Sequence, residues 1–156
     1  MKTPILKSFA FFIPFMAALV LFFAAAGESF AGSLFMVSGF IRGLTGEHKA
    51  YVYIYSNESD YKNGIAAKSF IVFPENVKES KAQYRFLMPS GEYLIHVFED
   101  KNGDKKLNRG GYFNSPSEPY GYYKRYRPFL NSPSFEKLKF KLTKEIKNAN
   151  INLIKN

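Results

Sequence analysis

Short segments of alternating apolar and polar residues recur along the chain and predict β-strands. Their two-residue period is typical of strands with one buried face, and the Gly, Asn, Ser and Pro clusters between them favour turns. Seven strands are predicted, at 34–42, 50–56, 66–73, 83–88, 92–99, 135–142 and 149–154. No segment after residue 31 keeps a helical period over three turns. The pattern indicates an all-β domain, and seven antiparallel strands suit a single β-sandwich.

The alternation also predicts which side chains face the core. Val52 and Ile54 lie on one face of their strand and three tyrosines on the other, so the aliphatic pair is expected inside. The fifth strand is predicted to bury Tyr93, Ile95 and Val97. His96 then points to the opposite side of the sheet. Lysines alternate with apolar residues over 137–142, which we interpret as a solvated face that discourages edge-to-edge pairing.

The first 31 residues have the layout of a secretory signal peptide. Two lysines precede an uncharged run rich in Phe, Leu and Ala at 8–27, and small residues precede the predicted cleavage after Ala31. Cleavage after Ala26 is the second choice. A run of about 20 apolar residues can also serve as a retained membrane anchor. On the preferred interpretation, residues 32–156 form one domain that is exported to the periplasm, the outer envelope or the medium.

Charge and cysteine content narrow the classes of partner. The chain has a formal net charge of +9, and loss of the leader lowers it only to +8. An exported basic surface meets anionic polysaccharide, lipopolysaccharide or another envelope protein rather than nucleic acid. A lysine-rich solvated surface is the simpler explanation. The chain contains no cysteine, which excludes disulfides and thiolate chemistry. No second long apolar run follows the leader, so no membrane span is expected after cleavage.

Residues 100–133 form one long segment without clear alternation, and we expect functional residues there. A loop of this length is usually functional or carries ordered elements of its own. Its many Tyr and Phe residues predict packing over one end of the sandwich rather than disorder.

The start of this segment has the spacing of a calcium loop, and calcium is the one cofactor that the sequence suggests. A hard cation prefers oxygen ligands, which a curling loop directs inward from alternate positions. The candidate ligands are Asp100, Asn102, Asp104, the backbone carbonyl of Lys106, and Asn108. Lys105 stands where glycine normally makes the turn, and Gly111 where a bidentate Glu would bind. The alternative is a polar turn capped by its own Asp and Asn side chains.

A second candidate site lies in the same segment, where cations alternate with aromatic rings. The candidate binding residues are Tyr122, Tyr123, Lys124, Arg125 and Arg127. Rings and guanidinium groups together suit a sugar or an anionic polymer. Internal stacking of Arg on Tyr is the alternative interpretation.

No arrangement of residues indicates an enzyme. His48 and His96 are the only histidines, and they belong to no metal-ligand spacing. No Gly-x-Ser-x-Gly elbow or phosphate-binding loop is present. Glu99 and Asp100 are adjacent in an extended segment, so without a bend their carboxylates point to opposite faces and cannot form a pair of the glycosidase kind. A non-enzymatic protein is predicted.

Four blocks of the C-terminal half follow one another in a specific order. They are Ser90-Gly91-Glu92-Tyr93, the loop 100–108, Glu118-Pro119-Tyr120-Gly121-Tyr122, and the segment 133–140. Their order and approximate spacing resemble the exported bacterial family called domain of unknown function 2141. The resemblance implies a prealbumin-like or immunoglobulin-like sandwich and brings no activity with it. This chain departs from the family pattern at Lys105, which replaces a glycine, and at Asn108, which replaces an acid.

Overall fold

The computed structural model describes residues 33–110, 115–126 and 133–155. The predicted leader at 1–31 and Arg127 lie outside these ranges. Within them the chain is mostly β, which confirms the fold class that the alternation predicts. No helix in the described ranges has both the length and the apolarity that crossing a membrane requires.

Ten strands and two short helices make up the described residues. The strands are β1 (Leu34–Arg42), β2 (Lys49–Tyr55), β3 (Lys68–Val72), β4 (Lys81–Pro89), β5 (Gly91–Asp100), β6 (Arg109–Gly110), β7 (Ser115–Pro116), β8 (Tyr120–Tyr122), β9 (Phe140–Leu142) and β10 (Ile151–Asn152). The helices are α1 (Glu58–Asn63) and α2 (Phe135–Leu138), and a 3-10 turn covers Pro74–Asn76.

The strands form two larger sheets and one ribbon. The first sheet has the order β10-β1-β4, in which β4 is antiparallel to β1 and β10 is parallel to it. The second has the order β3-β2-β5-β8, and β9 also pairs with β5, near its start. β6 and β7 pair only with each other in the described residues. The chain passes from the first sheet to the second at Ser90, where the sequence predicts a turn.

Three expectations about the strands need correction. The single seven-stranded sandwich is not confirmed, because the described residues form ten strands in three sheets. The segment 100–133 is not one loop, since it contributes β6, β7 and β8, each too short to show an alternation. The predicted strand 135–142 begins as α2, because Phe135 and Leu138 are three residues apart and are buried together on one side of a helical turn.

The last predicted strand, 149–154, is shortened to β10. The side chain of Asn150 takes the role of a backbone acceptor next to β1: its Oδ1 accepts a hydrogen bond from the amide of Phe40 at 3.0 Å. Regular backbone pairing with β1 is then limited to two residue pairs, which include Ile41 with Ile151.

The two larger sheets share an inner hydrophobic cluster. β1 and β4 contribute alternate residues such as Val37 and Phe86, and β2 contributes Val52 and Ile54. From β5 come the three residues predicted to face the core, Tyr93, Ile95 and Val97. The sequence alternation therefore identifies this core correctly.

The five-stranded sheet is buried on its other face as well. This outer cluster contains Tyr51, Tyr55, Leu94, Phe98, Tyr120, Tyr122, Phe135 and Leu138. Tyr61 of α1 packs against it. Asn57 starts α1 by accepting a hydrogen bond from the amide of Asp60 at 2.8 Å, and Gly64 ends it with a left-handed φ of 70°. The tyrosines lie on the predicted face, but residues of α1 and α2 pack against that face and help to bury it.

Candidate functional site

The predicted calcium loop connects β5 with β6, and its polar side chains converge as the spacing suggests. Asp100 accepts hydrogen bonds from the amides of Gly103, at 2.8 Å, and Lys105, at 2.9 Å. Asp104 accepts one from the amide of Lys106 at 2.9 Å. Side-chain oxygens therefore already organise the loop through its own backbone amides.

Two amide side chains complete this arrangement. Asn108 donates to Asp104 Oδ2 at 2.9 Å and accepts from Asn102 Nδ2 at 3.2 Å. The bond from Asn108, followed by the bond from the Lys106 amide, holds the pKa of Asp104 below its usual range. Asp104 is consequently ionised at neutral pH. All four predicted side-chain ligands thus belong to one hydrogen-bonded loop.

Lys105 does not prevent the sharp turn that a calcium loop needs. Its φ of 63° is in the left-handed region, and Gly103 has a φ of 80°. A non-glycine residue in this conformation costs about 1–2 kcal/mol. The loop adopts the turn in spite of the lysine. Gly111, the position expected to carry a bidentate Glu, lies outside the described residues.

Glu118 closes the base of the loop, and the sequence analysis did not assign it a role. Its two carboxylate oxygens accept hydrogen bonds from the amides of Lys101, at 2.8 Å, and Asn108, at 3.1 Å. The side chain is buried, with the residue 4% exposed. A carboxylate that bonds two backbone amides holds both ends of the loop in place. Its distance in sequence from the loop hid this contact.

The loop offers few charged ligands. Across residues 33–110, 115–126 and 133–155, no three His, Cys, Asp or Glu side chains are grouped as a metal site requires. A cation in the loop would therefore rely on Asp100 and Asp104 together with amide and backbone carbonyl oxygens.

The structure does not bring the five predicted glycan-binding residues onto one surface. Tyr122 belongs to the outer cluster, and its hydroxyl lies 3.1 Å from that of Tyr61. Tyr123 points the other way and packs edge-on against Phe140 at 4.9 Å. Lys124 and Arg125 are exposed, and Arg127 is outside the described residues. Only the two exposed cations remain available to a partner.

Arg125 lines a cleft that joins β8 to the C-terminal segment. Tyr120 and Ile154 exchange two backbone hydrogen bonds, of 3.1 and 2.7 Å, which bring the two chain segments together. The polar cleft beside them is lined by residues that include Arg125, Tyr126, Asn150, Asn152 and Lys155, and it has a volume of about 630 Å³. No described residue that lines it carries a carboxylate side chain. Asn150 and Asn152 alternate with Ile151 and Leu153 in the sequence, and this strand-like pattern contains no signal of a cleft.

One further carboxylate among the described residues is buried outside the loop, and it also has a structural partner. Glu99 is fully buried and accepts hydrogen bonds from the amide of Thr45, at 2.9 Å, and from its hydroxyl, at 2.7 Å. Asp100, the next residue, points into the loop. The adjacent carboxylates therefore diverge as the extended backbone predicts.

A model of a bacterial protein family matches most of the chain. Its description is "Uncharacterized protein conserved in bacteria (DUF2141)", and it matches residues 42–150. The matched range includes the Asp and Asn loop and Arg125. No curated protein and no solved structure matches the chain.

Proposed function

The chain belongs to the bacterial family DUF2141, and from this premise we propose that it is an exported, non-enzymatic domain that binds an acidic glycan in its polar cleft. Export is supported by the signal-peptide layout of residues 1–31. The periplasm, the outer envelope and the medium are the compartments in which anionic polysaccharide and lipopolysaccharide occur. Another envelope protein that carries acidic groups is the competing partner.

The chemistry of the polar cleft carries this proposal. Arg125 and Lys155 supply positive charge, Asn150 and Asn152 supply amides that match sugar hydroxyls, and Tyr126 supplies a ring on which a sugar can stack. Among the described residues that line it, the cleft has cations and no carboxylate side chain, which favours an acidic ligand because none of these residues repels a negative charge. The glycan is proposed to lie along β10 and the end of β8.

A non-enzymatic role is supported by the use of the buried carboxylates. Glu99 is held by Thr45, and Glu118 is held by two backbone amides. Each therefore has a structural function that already explains its burial. The domain is proposed to act by binding alone.

Retention of the purified chain on immobilised polygalacturonate, with neutral dextran as the reference, tests the glycan proposal. We expect salt-sensitive retention on polygalacturonate only. Replacement of both Arg125 and Lys155 by Ala should weaken binding about tenfold, because each removes an exposed ion pair that contributes about 0.7 kcal/mol. Asn152→Asp, which keeps the shape of the side chain and adds a negative charge, should weaken it as well.

Two matched variants separate a specific cleft from general basicity. Arg85 and Lys144 are exposed cations outside the polar cleft, and their replacement by Ala removes the same charge. If this control pair weakens retention as much as Arg125→Ala with Lys155→Ala, the polar cleft is not the binding site. Retention on immobilised lipopolysaccharide is measured in parallel. Stronger retention there than on polygalacturonate would indicate a membrane-bound source of acidic sugar, and weaker retention a free polymer.

We propose calcium binding by the loop 100–108 as a second function of the domain. It is supported by the convergence of Asp100, Asn102, Asp104 and Asn108 within one turn that Glu118 holds closed. With two carboxylates the affinity is expected to be weak. Calcium would replace the internal hydrogen bonds of these side chains and stabilise the folded loop.

Thermal unfolding with millimolar calcium and with chelator tests this function. A ligand that binds only the folded state raises the melting temperature by mass action. The rise should disappear in Asp104→Asn and persist in Asp60→Asn, a matched change on the surface of α1. Identical curves with calcium and with chelator would show that the loop is only a polar turn.

A further inference from the structure

One edge of the three-stranded sheet is open in the described part of the chain. The sheet has the order β10-β1-β4, and β4 pairs with β1 along all nine of its residues. No other named strand of the described residues pairs with the opposite side of β4. We call this side, which faces away from β1, the β4 edge.

Contacts at the two ends of β4 show which backbone groups point to the β4 edge. Lys81 exchanges two backbone hydrogen bonds with Lys78, of 2.8 and 2.9 Å. The carbonyl of Leu87 accepts a hydrogen bond from Nζ of Lys68 at 3.3 Å. Neither partner belongs to β1, so the backbone groups of Lys81 and Leu87 point away from that strand.

The residues between these two contacts leave backbone groups unpaired. In an antiparallel pair, one residue directs both its N–H and its C=O to the neighbouring strand, and the next residue directs both away from it. Gln83 and Arg85 alternate with the same period as Lys81 and Leu87, so their backbone groups also point to the β4 edge. Neither these groups nor the N–H of Leu87 has a hydrogen-bond partner among the described residues. They can pair with an extended segment that lies beside β4.

A groove beside the β4 edge provides space for such a segment. It has a volume of about 380 Å³, and its lining includes Phe70 of β3 and Tyr84 of β4. The centroids of these two rings are 6.1 Å apart, and both rings contact the inner cluster. Side chains of an added strand that point inward would therefore meet an aromatic, apolar surface.

Side chains that point outward from an added strand would meet positive charge. Arg85 is exposed, and neither Arg85 nor Lys68 forms an ion pair with another described residue. Lys81 differs from them, because it pairs with Glu79 at 3.5 Å. No described residue that lines the groove carries a carboxylate side chain. The outward side of the β4 edge is therefore complementary to acidic side chains.

A second copy of the chain fits this edge less well. Pairing of β4 with β4 of another molecule would bring Arg85 and Lys68 of both copies to one interface. Like charges on neighbouring strands are destabilising, and cations on edge strands oppose pairing between identical chains. The same cations attract a strand that carries the opposite charge.

We propose that the β4 edge binds an extended acidic segment of another protein by strand addition. The backbone of the segment bonds to Gln83, Arg85 and Leu87. Its inward side chains are apolar, and its outward side chains are carboxylates that face Arg85 and Lys68. The polar cleft lies beyond β1, beside β10, so this proposal does not depend on glycan binding.

Amide hydrogen exchange of the purified chain, measured by NMR with two peptides, tests the proposal. One peptide is acetyl-Val-Glu-Val-Glu-Val-Glu-Val-amide, and the control has Lys in place of each Glu. At about ten times its Kd, the acidic peptide should slow exchange at Gln83, Arg85 and Leu87 about tenfold by mass action. The amides of Ala82 and Tyr84, which point to β1, should change little. If the acidic peptide protects none of the three edge amides, or if the Lys peptide protects them equally, the proposal is wrong.

N-methylated peptides test the backbone pairing without any change to the protein. Methylation of the Glu amides or of the Val amides gives two isomers with the same side chains. Alternate amides of a strand point to opposite sides, so only one isomer has its methyl groups between the peptide and β4. That isomer should lose binding and the other should keep it. Two isomers that both bind as tightly as the parent peptide would rule out strand addition.

A charge reversal tests the outward contacts. Arg85→Glu should weaken the acidic peptide about tenfold, because an exposed ion pair is replaced by a repulsion. Arg42→Glu is the matched control, an equal change at an exposed residue of β1, and should have a smaller effect. Equal effects of the two variants would show that the peptide responds only to net charge.

The glycan and peptide proposals can fail separately. Replacement of Arg125 and Lys155 by Ala should weaken retention on polygalacturonate and leave the affinity for the acidic peptide unchanged. An equal loss of peptide affinity in this double variant and in Arg85→Glu would place the peptide outside the β4 edge. The comparison of the acidic and Lys peptides on the wild-type chain decides the proposal even if a variant does not fold.

Discussion

The two faces of the five-stranded sheet are covered in different ways. The inner face meets a second sheet, in which β4 alternates strictly between exposed and buried residues. The outer face meets α1 and α2, which have six and four residues. The outer cluster is rich in tyrosine, and each buried hydroxyl needs a hydrogen-bond partner. Long strands cover the inner face, whereas short helices leave a cavity of about 680 Å³ over the outer face.

Two polar aromatic residues illustrate the difference. Tyr84, in the inner cluster, donates its hydroxyl to the backbone carbonyl of Ala149. His96, on the outer face, keeps an Nε2 without a partner in the described residues. On the inner face the buried hydroxyl has a backbone partner, whereas on the outer face the buried Nε2 of His96 has none among the described residues.

Truncation of one fully buried aliphatic residue on each face gives the largest expected effect. Ile95 faces inward and Leu138 outward, and both are 1% exposed. Such truncations to Ala cost about 2–5 kcal/mol of unfolding free energy. Ile95→Ala should be near the upper end of this range, because two packed sheets cannot move to fill the cavity that the substitution creates. Leu138→Ala should be near the lower end, because α2 can shift toward the space left by the side chain. Urea unfolding measures both, and a larger cost for Leu138→Ala would reverse the comparison.

A methyl group at Gly39 tests how tightly the inner face is closed. A Cβ there would lie 2.5 Å from the carbonyl oxygen of Ala149, a backbone atom that cannot rotate away. Overpacking of this kind costs about 1–3 kcal/mol. Gly110→Ala is the matched control, because no atom lies within 4 Å of its Cβ position. Equal melting temperatures of the two variants would show that the segment around Ala149 does not pack closely against β1.

The pH dependence of stability sharpens the assignment of His96. Its pKa is about 3 in the folded chain and about 6.5 when unfolded, so between these values only the unfolded state binds the proton. Stability therefore falls as the pH falls through this window. The loss from pH 6.5 to pH 5 should be roughly 1.5 kcal/mol. His96→Phe should remove this loss in urea unfolding, while an unchanged pH profile would mean that His96 is not buried in its neutral form.

Loss of the N-cap of α1 should have the smallest effect. Asn57→Ala removes the bond to the amide of Asp60 and costs about 1 kcal/mol. Because α1 holds Tyr61 over the outer face, hydrogen exchange should increase there before it increases in β1 and β4. Asn63→Ala, at the exposed end of the same helix, is the control and should be nearly neutral. Equal effects of the two variants on thermal unfolding would show that the cap does not stabilise the outer cover.

The candidate sites differ in how far apart their residues lie in the sequence. Asp100, Asn102, Asp104 and Asn108 come together as predicted, because a single turn places neighbouring side chains within hydrogen-bond distance. Glu118 escaped prediction because it reaches the loop from a later segment. The polar cleft escaped it because pairing of the C-terminal segment with β8 brings Arg125 beside residues far along the chain.

The sequence by itself determined the all-β class, the inner faces of β2 and β5, and the polar loop after β5. These features follow from a two-residue period and from short-range hydrogen bonding, which are properties of neighbouring residues. The tertiary structure alone decided that the outer face is buried, that His96 is enclosed within it, and that the C-terminal segment forms a cleft with β8. The alternation within a strand shows that one of its faces is aromatic. It does not show which elements cover that face, because these elements come from distant segments that are too short to have a recognisable pattern of their own.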